Sequence, residues 1–133
     1  MFPFFRKRDP NWDDMTAKER GAYWEKVAAD VLKGKGLKIV ARNWTSERGE
    51  LDIVVKDGEI LIFVEVRARA AEALVGGYNS IRSHKRDVLR RTCRNYMDAL
   101  KEKPRTYRFD VIEIAYRSRD DYELRHFENV PLF

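Results

Sequence analysis

The chain has 133 residues, of which 44% are hydrophobic and 37% are charged, and this composition excludes a disordered protein and fits a single globular domain. Its 27 Lys and Arg residues outnumber the 22 Asp and Glu residues, and the net charge of +5 is compatible with a polyanionic partner such as nucleic acid. The single cysteine, Cys93, excludes an internal disulfide and a cysteine-based metal cluster, which fits a reducing compartment and predicts a cytoplasmic protein.

Residues 1–15 are expected to form a flexible leader, followed by a single domain over residues 16–133. The apolar start of the leader spans only about five residues before charged residues begin, far fewer than a signal peptide or a membrane span requires. The sequence therefore predicts neither export nor a membrane partner.

The domain opens with a predicted helix from Thr16 to about Lys33. Thr16 and Glu19 have the spacing of a capping box, and apolar residues recur after them at helical spacing. Gly34 and Gly36 are expected to end this helix.

Three strands follow, predicted from the segments LKIVARNW, ELDIVV and EILIFVEVRA, and a tight turn at Asp57-Gly58 is expected to join the second to the third. A second helix is predicted from about Ser80 to Leu100. The segment TYRFDVIEIA predicts a fourth strand, and YELRHFE is a candidate fifth. Because a single helix connects the third and fourth strands, the sequence predicts a crossover and an α/β fold of order αβββαβ(β), with a mixed central sheet flanked by helices.

Three carboxylates interrupt the apolar pattern of the second and third strands. The predicted turn sets a register in which Glu50 faces Glu65 directly and Asp52 lies diagonally across from Glu65. Strand alternation then places these side chains and Arg67 on one face, where opposed like charges require a cation. Two options remain open: a divalent metal held by Glu50, Asp52 and Glu65, or salt bridges to arginines. The candidate arginines are Arg48, Arg67 and Arg69.

Two residues on the predicted helices bear on this choice. Lys85 lies near the middle of the apolar stripe of the second helix, so its ammonium group either points inward at an anion or snorkels around the helix start. Glu25 lies at the border of the first helix's apolar stripe, where it is either solvated or an additional ligand or orienting residue. The second helix also carries a basic row that either contacts phosphates or forms a solvated face. The nucleic-acid-binding candidates are Arg69, Arg82, Arg86 and Arg90.

Several segments together resemble a known family. A glutamate on a helix, GELD in one strand and FVEV in the next form the layout of the PD-(D/E)XK nuclease superfamily. The segments GAYWEKVAADVLKGKGLKIVARNW, GELDIVVKDGEILIFVEVRAR, RFDVIEI and HFENVPLF, with HK in the second helix, are similar to the bacterial YraN-type family of endonuclease-like proteins. This resemblance implies a restriction-endonuclease-like fold related to archaeal Holliday-junction resolvases. It also implies that Asp52 and Glu65 bind Mg²⁺ or Mn²⁺. By the same resemblance, Glu25 is the helix-borne acidic residue and Arg67 occupies the motif's lysine position.

The resemblance and the carboxylate pattern predict a metal-dependent nuclease acting on DNA, with branched or junction DNA as the substrate if the resolvase likeness extends that far. Arg67 stays protonated and cannot act as a general base, so Lys85 is predicted to supply a compact positive charge at the site. A non-catalytic nucleic-acid-binding protein with a nuclease-like fold and a partner-binding accessory protein are the alternatives. By analogy with resolvases, a homodimer is expected.

Overall fold

The computed structural model describes residues 12–47, 49–73 and 83–133, and this part of the chain forms a five-stranded sheet with a helix packed on each face. The helices are α1 (Ala17–Gly34) and α2 (Ser83–Asp98). The strands are β1 (Lys38–Ser46), β2 (Gly49–Asp57), β3 (Ile60–Ala70), β4 (Thr106–Tyr116) and β5 (Tyr122–Phe127). The predicted α/β fold and element order are confirmed, and the candidate fifth strand is present.

Helix α1 begins and ends where the sequence predicts. Thr16 Oγ1 accepts a hydrogen bond from the Glu19 N–H at 3.1 Å, and Glu19 Oε1 accepts one from the Thr16 N–H at 2.9 Å, which completes the capping box. Beyond the last turn Gly36 has φ +85°, a left-handed conformation that glycine adopts without strain. The Leu37 N–H then donates to the Leu32 carbonyl, so the chain leaves the helix close to the start of β1.

The end of the expected leader is part of the packed structure. Trp12–Asp14 form a short 3-10 helix, and the Trp12 ring packs edge-on against Trp24 and Tyr116 at centroid distances of 5.4 Å. The domain therefore extends into the segment that was expected to be flexible. Residues 1–11, the remainder of the predicted leader, lie outside the described residues.

The strand order is β1-β2-β3-β4-β5, with β3 and β4 parallel and the other neighbours antiparallel. The parallel pair requires a crossover connection, which contains α2. Buried residues that pack with α1 on one face include Trp24, Ala28, Leu32, Ile53, Ile62 and Ile112. Buried residues that pack with α2 on the other face include Leu51, Val54, Phe63, Leu89, Cys93 and Val111. Neither described helix has the length and apolar character needed to span a membrane.

The turn between β2 and β3 differs from the prediction, which placed Asp57 and Gly58 at its centre. The observed register pairs Asp57 with Ile60, so the two central residues are Gly58 and Glu59. Gly58 has φ +59°, and a glycine with positive φ at the first central position is typical of a type II′ hairpin turn. The correction moves the partner of each paired β2 residue two positions along β3, which changes the pairs without changing the face of either strand.

Candidate functional site

The corrected register brings Asp52 next to Glu65, in place of Glu50, which was the predicted partner of Glu65. Regular pairing between β2 and β3 ends just before these two residues. Beyond that point the Val66 N–H donates to Asp52 Oδ2 at 2.9 Å, so a side-chain carboxylate takes the place of a strand carbonyl. The observed β2–β3 register puts Asp52 and not Glu50 beside Glu65, so the predicted Glu50–Glu65 opposition is wrong; Glu50 is exposed and pairs with Thr45 of β1.

The position of Asp52 follows from a break in strand alternation. Leu51 and Val54 both pack in the cluster under α2, although strict alternation would put them on opposite faces. Opposite Asp52 on β1, Asn43 has φ +52°, a left-handed conformation that is uncommon outside glycine. Asp52 consequently contacts Glu65 and also borders a cavity beneath α1. The single acidic face that was predicted is therefore divided between the two sides of the sheet.

The Asp52 and Glu65 carboxyl groups cannot both ionise at low cost. The pKa of Asp52 is raised to about 9, first because the group is buried and then because of the charge of Glu65 and a hydrogen bond with it. The hydrogen bond from the Val66 N–H opposes this rise in pKa. Glu65 is only 5% exposed. A buried acid pair of this kind is stabilised by a shared proton or by a cation.

Lys85 supplies one such cation from α2. Its Nζ atom lies 2.7 Å from Glu65 Oε2, while 53% of the Lys85 side chain remains exposed. The sequence left open whether Lys85 points inward at an anion or snorkels to solvent, and the side chain does both: it reaches a buried carboxylate and keeps contact with solvent. Apart from this ion pair, Glu65 Oε2 has no hydrogen bond from the residues described. This contact is an ion pair that a stronger cation could replace.

Arg67 lies two residues after Glu65 on the same strand, beside a carboxylate that sequence reasoning missed. The register of the parallel pair places Glu113 of β4 next to Arg67, and Glu113 is only 3% exposed. Burial lowers the pKa of Arg67, and the charge of Arg69 lowers it further, whereas the charges of Glu65 and Glu113 raise it. The signal for Glu113 was a charged residue in the otherwise apolar alternation of RFDVIEI.

Glu25 approaches the site from the α1 side. Its side chain is 13% exposed, and its Oε1 atom lies 3.6 Å from Arg42 Nη2. Burial raises the pKa of Glu25; the charge of Arg42 lowers it and the charge of Glu50 raises it. The charge of Glu25 in turn contributes to the raised pKa of Asp52. Glu25 and Glu50 thus form an acidic group on the α1 side, linked to the Glu65 side through Asp52.

The donor set fits an oxygen-ligated divalent cation. Among residues 12–47, 49–73 and 83–133, no three acidic, histidine or cysteine side chains are grouped closely enough to hold an ion. Asp52 and Glu65 nevertheless form a buried carboxylate pair in which one oxygen, Glu65 Oε2, has an ion pair with Lys85 and no hydrogen bond from the described residues. Mg²⁺ is commonly held by one or two carboxylates and keeps water in its remaining positions. The two carboxylates match that requirement in the number and type of ligands.

Comparison with known proteins identifies the family of the chain. The sequence profile of the uncharacterised protein family UPF0102 matches residues 24–114. The chain belongs to this family. It is 39% identical over 116 residues to a UPF0102 protein of Dichelobacter nodosus, covering 87% of the chain and 91% of that relative. It is 43% identical over 113 residues to one from Pelotomaculum thermopropionicum (82% and 92%) and 39% identical over 108 residues to one from Chlorobaculum tepidum (81% and 84%).

The segment shared with UPF0102 also contains the glycine that allows α2 to approach the sheet. A Cβ atom at Gly49 would overlap Thr92 Oγ1 and would lie 3.3 Å from Val88 Cγ1. Val88 and Thr92 follow Lys85 along the same face of the helix. Gly49 therefore permits the close packing that brings Lys85 to Glu65.

The basic row of the UPF0102 chain is only partly available for phosphate contact. Arg90 is tied down, because its Nε donates to the Leu132 carbonyl at 2.8 Å and its Nη1 to Asp87 Oδ1 at 2.7 Å. Arg86 is partly exposed, and Arg69 lies at the surface beside the cavity under α1. Two predicted residues, Arg48 and Arg82, lie outside the described residues.

Proposed function

We propose that this UPF0102 protein is a metal-dependent nuclease that hydrolyses DNA phosphodiester bonds. The observation that carries the proposal is the buried Asp52–Glu65 pair at the point where β2 and β3 separate, with Lys85 2.7 Å from Glu65. The resemblance to YraN-type endonuclease-like proteins assigns metal binding to the same two carboxylates. Branched or junction DNA as substrate and a homodimeric enzyme belong to the proposal by analogy with resolvases.

Each residue has a distinct task in this reaction. When bound, Mg²⁺ or Mn²⁺ supplies a nucleophile at neutral pH and neutralises charge on the phosphate. Asp52 and Glu65 provide the oxygen ligands, and the Val66 N–H fixes the orientation of Asp52 through Oδ2. Glu25 orients groups from the α1 side or adds a ligand through water. Glu50, being exposed, contributes negative charge rather than a ligand.

The two cations of the site act on the substrate phosphate. The Arg67 guanidinium can hold a phosphate through two parallel hydrogen bonds, and it stays protonated, so it orients and stabilises rather than removing a proton. With Glu65 holding the metal, the Lys85 ammonium group, which lies 2.7 Å from Glu65 Oε2, would be close enough to stabilise negative charge on the phosphate in the transition state. Lys85 in this way fills the role that the motif's lysine has in the superfamily.

A cleavage assay tests the proposal. Purified protein is incubated with single-stranded, duplex and four-way-junction DNA in Mg²⁺ or Mn²⁺, beside Asp52→Asn and Glu65→Gln variants. Asp30→Asn serves as a matched control, because Asp30 is an exposed acid on α1 that pairs only with the surface residue Lys26 among the ion pairs described. Metal-dependent cleavage by wild type and Asp30→Asn, lost in the other two variants, is the expected result. Cleavage that persists in both site variants would show contamination and refute the assignment.

The Lys85–Glu65 ion pair also favours a second function, because it partly neutralises the buried acid without any metal. On this alternative the protein is a non-catalytic nucleic-acid-binding protein that retains a nuclease-like fold. It predicts DNA binding that weakens steeply with salt, no cleavage, and no gain in melting temperature with Mn²⁺.

A further inference from the structure

A cavity of about 390 Å³ lies beneath the first turns of α1 and is bordered by Asp52 of the carboxylate pair. Its apolar wall is formed by Ala17, Gly21, Trp24, Val66, Ala68 and Tyr116. Its polar wall is formed by Arg20, Glu25, Asp52 and Arg69. A volume in this range is typical of a small-molecule site and is too small for a duplex.

Three buried polar atoms on residues that line this cavity have no hydrogen-bond partner in the described part of the chain. Two are donors, the indole Nε1–H of Trp24 and the Nε–H of Arg20, and the third is an acceptor, Glu25 Oε1, which lies 3.6 Å from Arg42 Nη2 in an ion pair but accepts no hydrogen bond from the described residues. The rest of the Arg20 guanidinium is fixed, because Nη2 donates to the Trp12 carbonyl at 3.0 Å. Buried polar atoms are normally hydrogen-bonded, so these three atoms indicate a ligand that supplies both acceptors and donors.

We propose that this cavity takes one unpaired nucleobase of the substrate strand, next to the phosphodiester bond that is cleaved. A base edge carries acceptors for Trp24 and Arg20 and a donor for Glu25, whereas a phosphate group carries only acceptors and would leave Glu25 Oε1 without a hydrogen bond. The apolar and aromatic wall suits the flat surface of a base. This inference rests on the proposed nuclease function and extends it to substrates with an unstacked base at one fixed position, such as single strands, branches and junctions.

The geometry of α1 provides a direct way to fill the cavity. A Cβ atom at Gly21 meets nothing within 4 Å, so Gly21→Leu extends a side chain into the space without a clash at its first carbon. Leucine also replaces glycine in a helix interior, so the variant is expected to fold at least as stably. Gly34→Leu is the matched control, because Gly34 ends the same helix, outside the cavity, and its Cβ also meets nothing within 4 Å.

The experiment combines these variants with single abasic sites placed along a single-stranded oligonucleotide in Mn²⁺. One abasic position near the cleaved bond is expected to slow wild-type cleavage about tenfold, and Gly21→Leu to slow cleavage of the intact strand by a similar factor. The two changes should not add, and Gly34→Leu should resemble wild type. The inference would be overturned if the cleavage rate were the same for every abasic position, if Gly21→Leu were fully active, or if the cleavage rate depended on a terminal phosphate instead of a base.

A binding experiment distinguishes failure of this inference from failure of the nuclease proposal. If wild type cleaves no substrate, the nuclease proposal fails, and the same oligonucleotides are then labelled with the fluorescent base 2-aminopurine at successive positions. A change in fluorescence at one position that is lost in Gly21→Leu and kept in Gly34→Leu would still support base capture. No position-specific change would refute it.

Discussion

The substitution Asp52→Asn is expected to stabilise the metal-free protein at pH 8, although it removes a proposed metal ligand. The folded protein holds a proton on Asp52, whose pKa is about 9, while the unfolded chain releases it near the ordinary value of 3.8. Each pH unit in this interval is equivalent to about 1.4 kcal/mol, which sets an upper limit of roughly 6 kcal/mol at pH 8. Asparagine can still accept the Val66 N–H and donate to Glu65, so the hydrogen bonds remain.

Because the site can relax around a charged Asp52, we expect the substitution to raise the free energy of unfolding by about 2 kcal/mol, which corresponds to roughly 7 °C in melting temperature for a domain of this size. Its dependence on pH has a definite sign. Because the folded state binds the additional proton, wild-type stability should fall as pH rises from about 4 to about 9. In Asp52→Asn this contribution is absent, so the curve should be flatter. Thermal melting in EDTA at several pH values measures both quantities.

A second buried aspartate provides a control of opposite sign. Asp110 accepts hydrogen bonds from Arg108 at 3.0 and 3.2 Å, from the Asn129 N–H at 2.9 Å, and lies 2.8 Å from His126 Nε2. Burial raises the pKa of Asp110, but these hydrogen bonds lower it more, and the net pKa lies below the usual value. Asp110→Asn should therefore destabilise the fold by roughly 3 kcal/mol above pH 5, since it removes the charge that pairs with Arg108 and can put amide N–H groups against the donors that now contact Oδ2. The wild-type contribution should fade as pH falls through the lowered pKa.

If Asp52→Asn melted at or below the wild-type temperature at pH 8 with an unchanged pH slope, a protonated Asp52 in the folded protein would be refuted. That outcome would mean that Asp52 is ionised in the folded metal-free protein and already has a compensating cation. Addition of Mn²⁺ provides a further check, because it should stabilise wild type increasingly as pH rises and should have little effect on Asp52→Asn.

Three further predictions follow from the packing of α2 and its charges. Gly49→Ala should lower the free energy of unfolding by about 1–3 kcal/mol through overlap with Thr92, and Thr92→Ala in the same chain should restore most of it in chemical denaturation; no rescue would argue against this contact. Lys85→Met should lower the Mn²⁺ concentration for half-maximal thermal stabilisation and slow cleavage at least about tenfold; unchanged cleavage would remove Lys85 from the mechanism. Arg86→Gln should reduce the slope of log affinity for DNA against log salt by about one. Arg90→Gln should reduce the slope by less, because the Arg90 side chain is hydrogen-bonded to the Leu132 carbonyl. If both variants kept the wild-type slope, a role for the basic row in DNA binding would be contradicted.

The elements of this fold could be predicted because each depends on local pattern. The capping box at Thr16, the glycine at position 36 and the apolar periodicity of both helices act within one or two turns of chain, and the structure confirms them. The predicted register between β2 and β3 was wrong for an equally local reason. Asp57-Gly58 and Gly58-Glu59 are both acceptable turn centres, and the observed turn uses the glycine as its first central residue.

The site itself was harder to predict because it depends on a departure from regular structure. Strict alternation assigned Asp52 and Glu65 to one face of the sheet. No local sequence pattern predicted that Asn43, opposite Asp52, takes a left-handed conformation. Glu113 was missed because its significance arises from the parallel register with Arg67, which joins residues far apart in sequence. Long-range pairing of this kind follows from the fold and not from the pattern of any one segment.

The segment GELD can now be explained as one geometric unit. Gly49 has no side chain because α2 packs against it through Val88 and Thr92, and this close approach carries Lys85 to Glu65. Three residues later the strand irregularity brings Asp52 to the same carboxylate from the other side. The glycine and the aspartate therefore position opposite halves of one site, which predicts that a substitution at Gly49 should alter metal binding even though this residue contributes no ligand. Mn²⁺-dependent stabilisation of Gly49→Ala, compared with the Gly49→Ala/Thr92→Ala chain, would test this link: a wild-type metal response in the clashing variant would show that the two halves are independent.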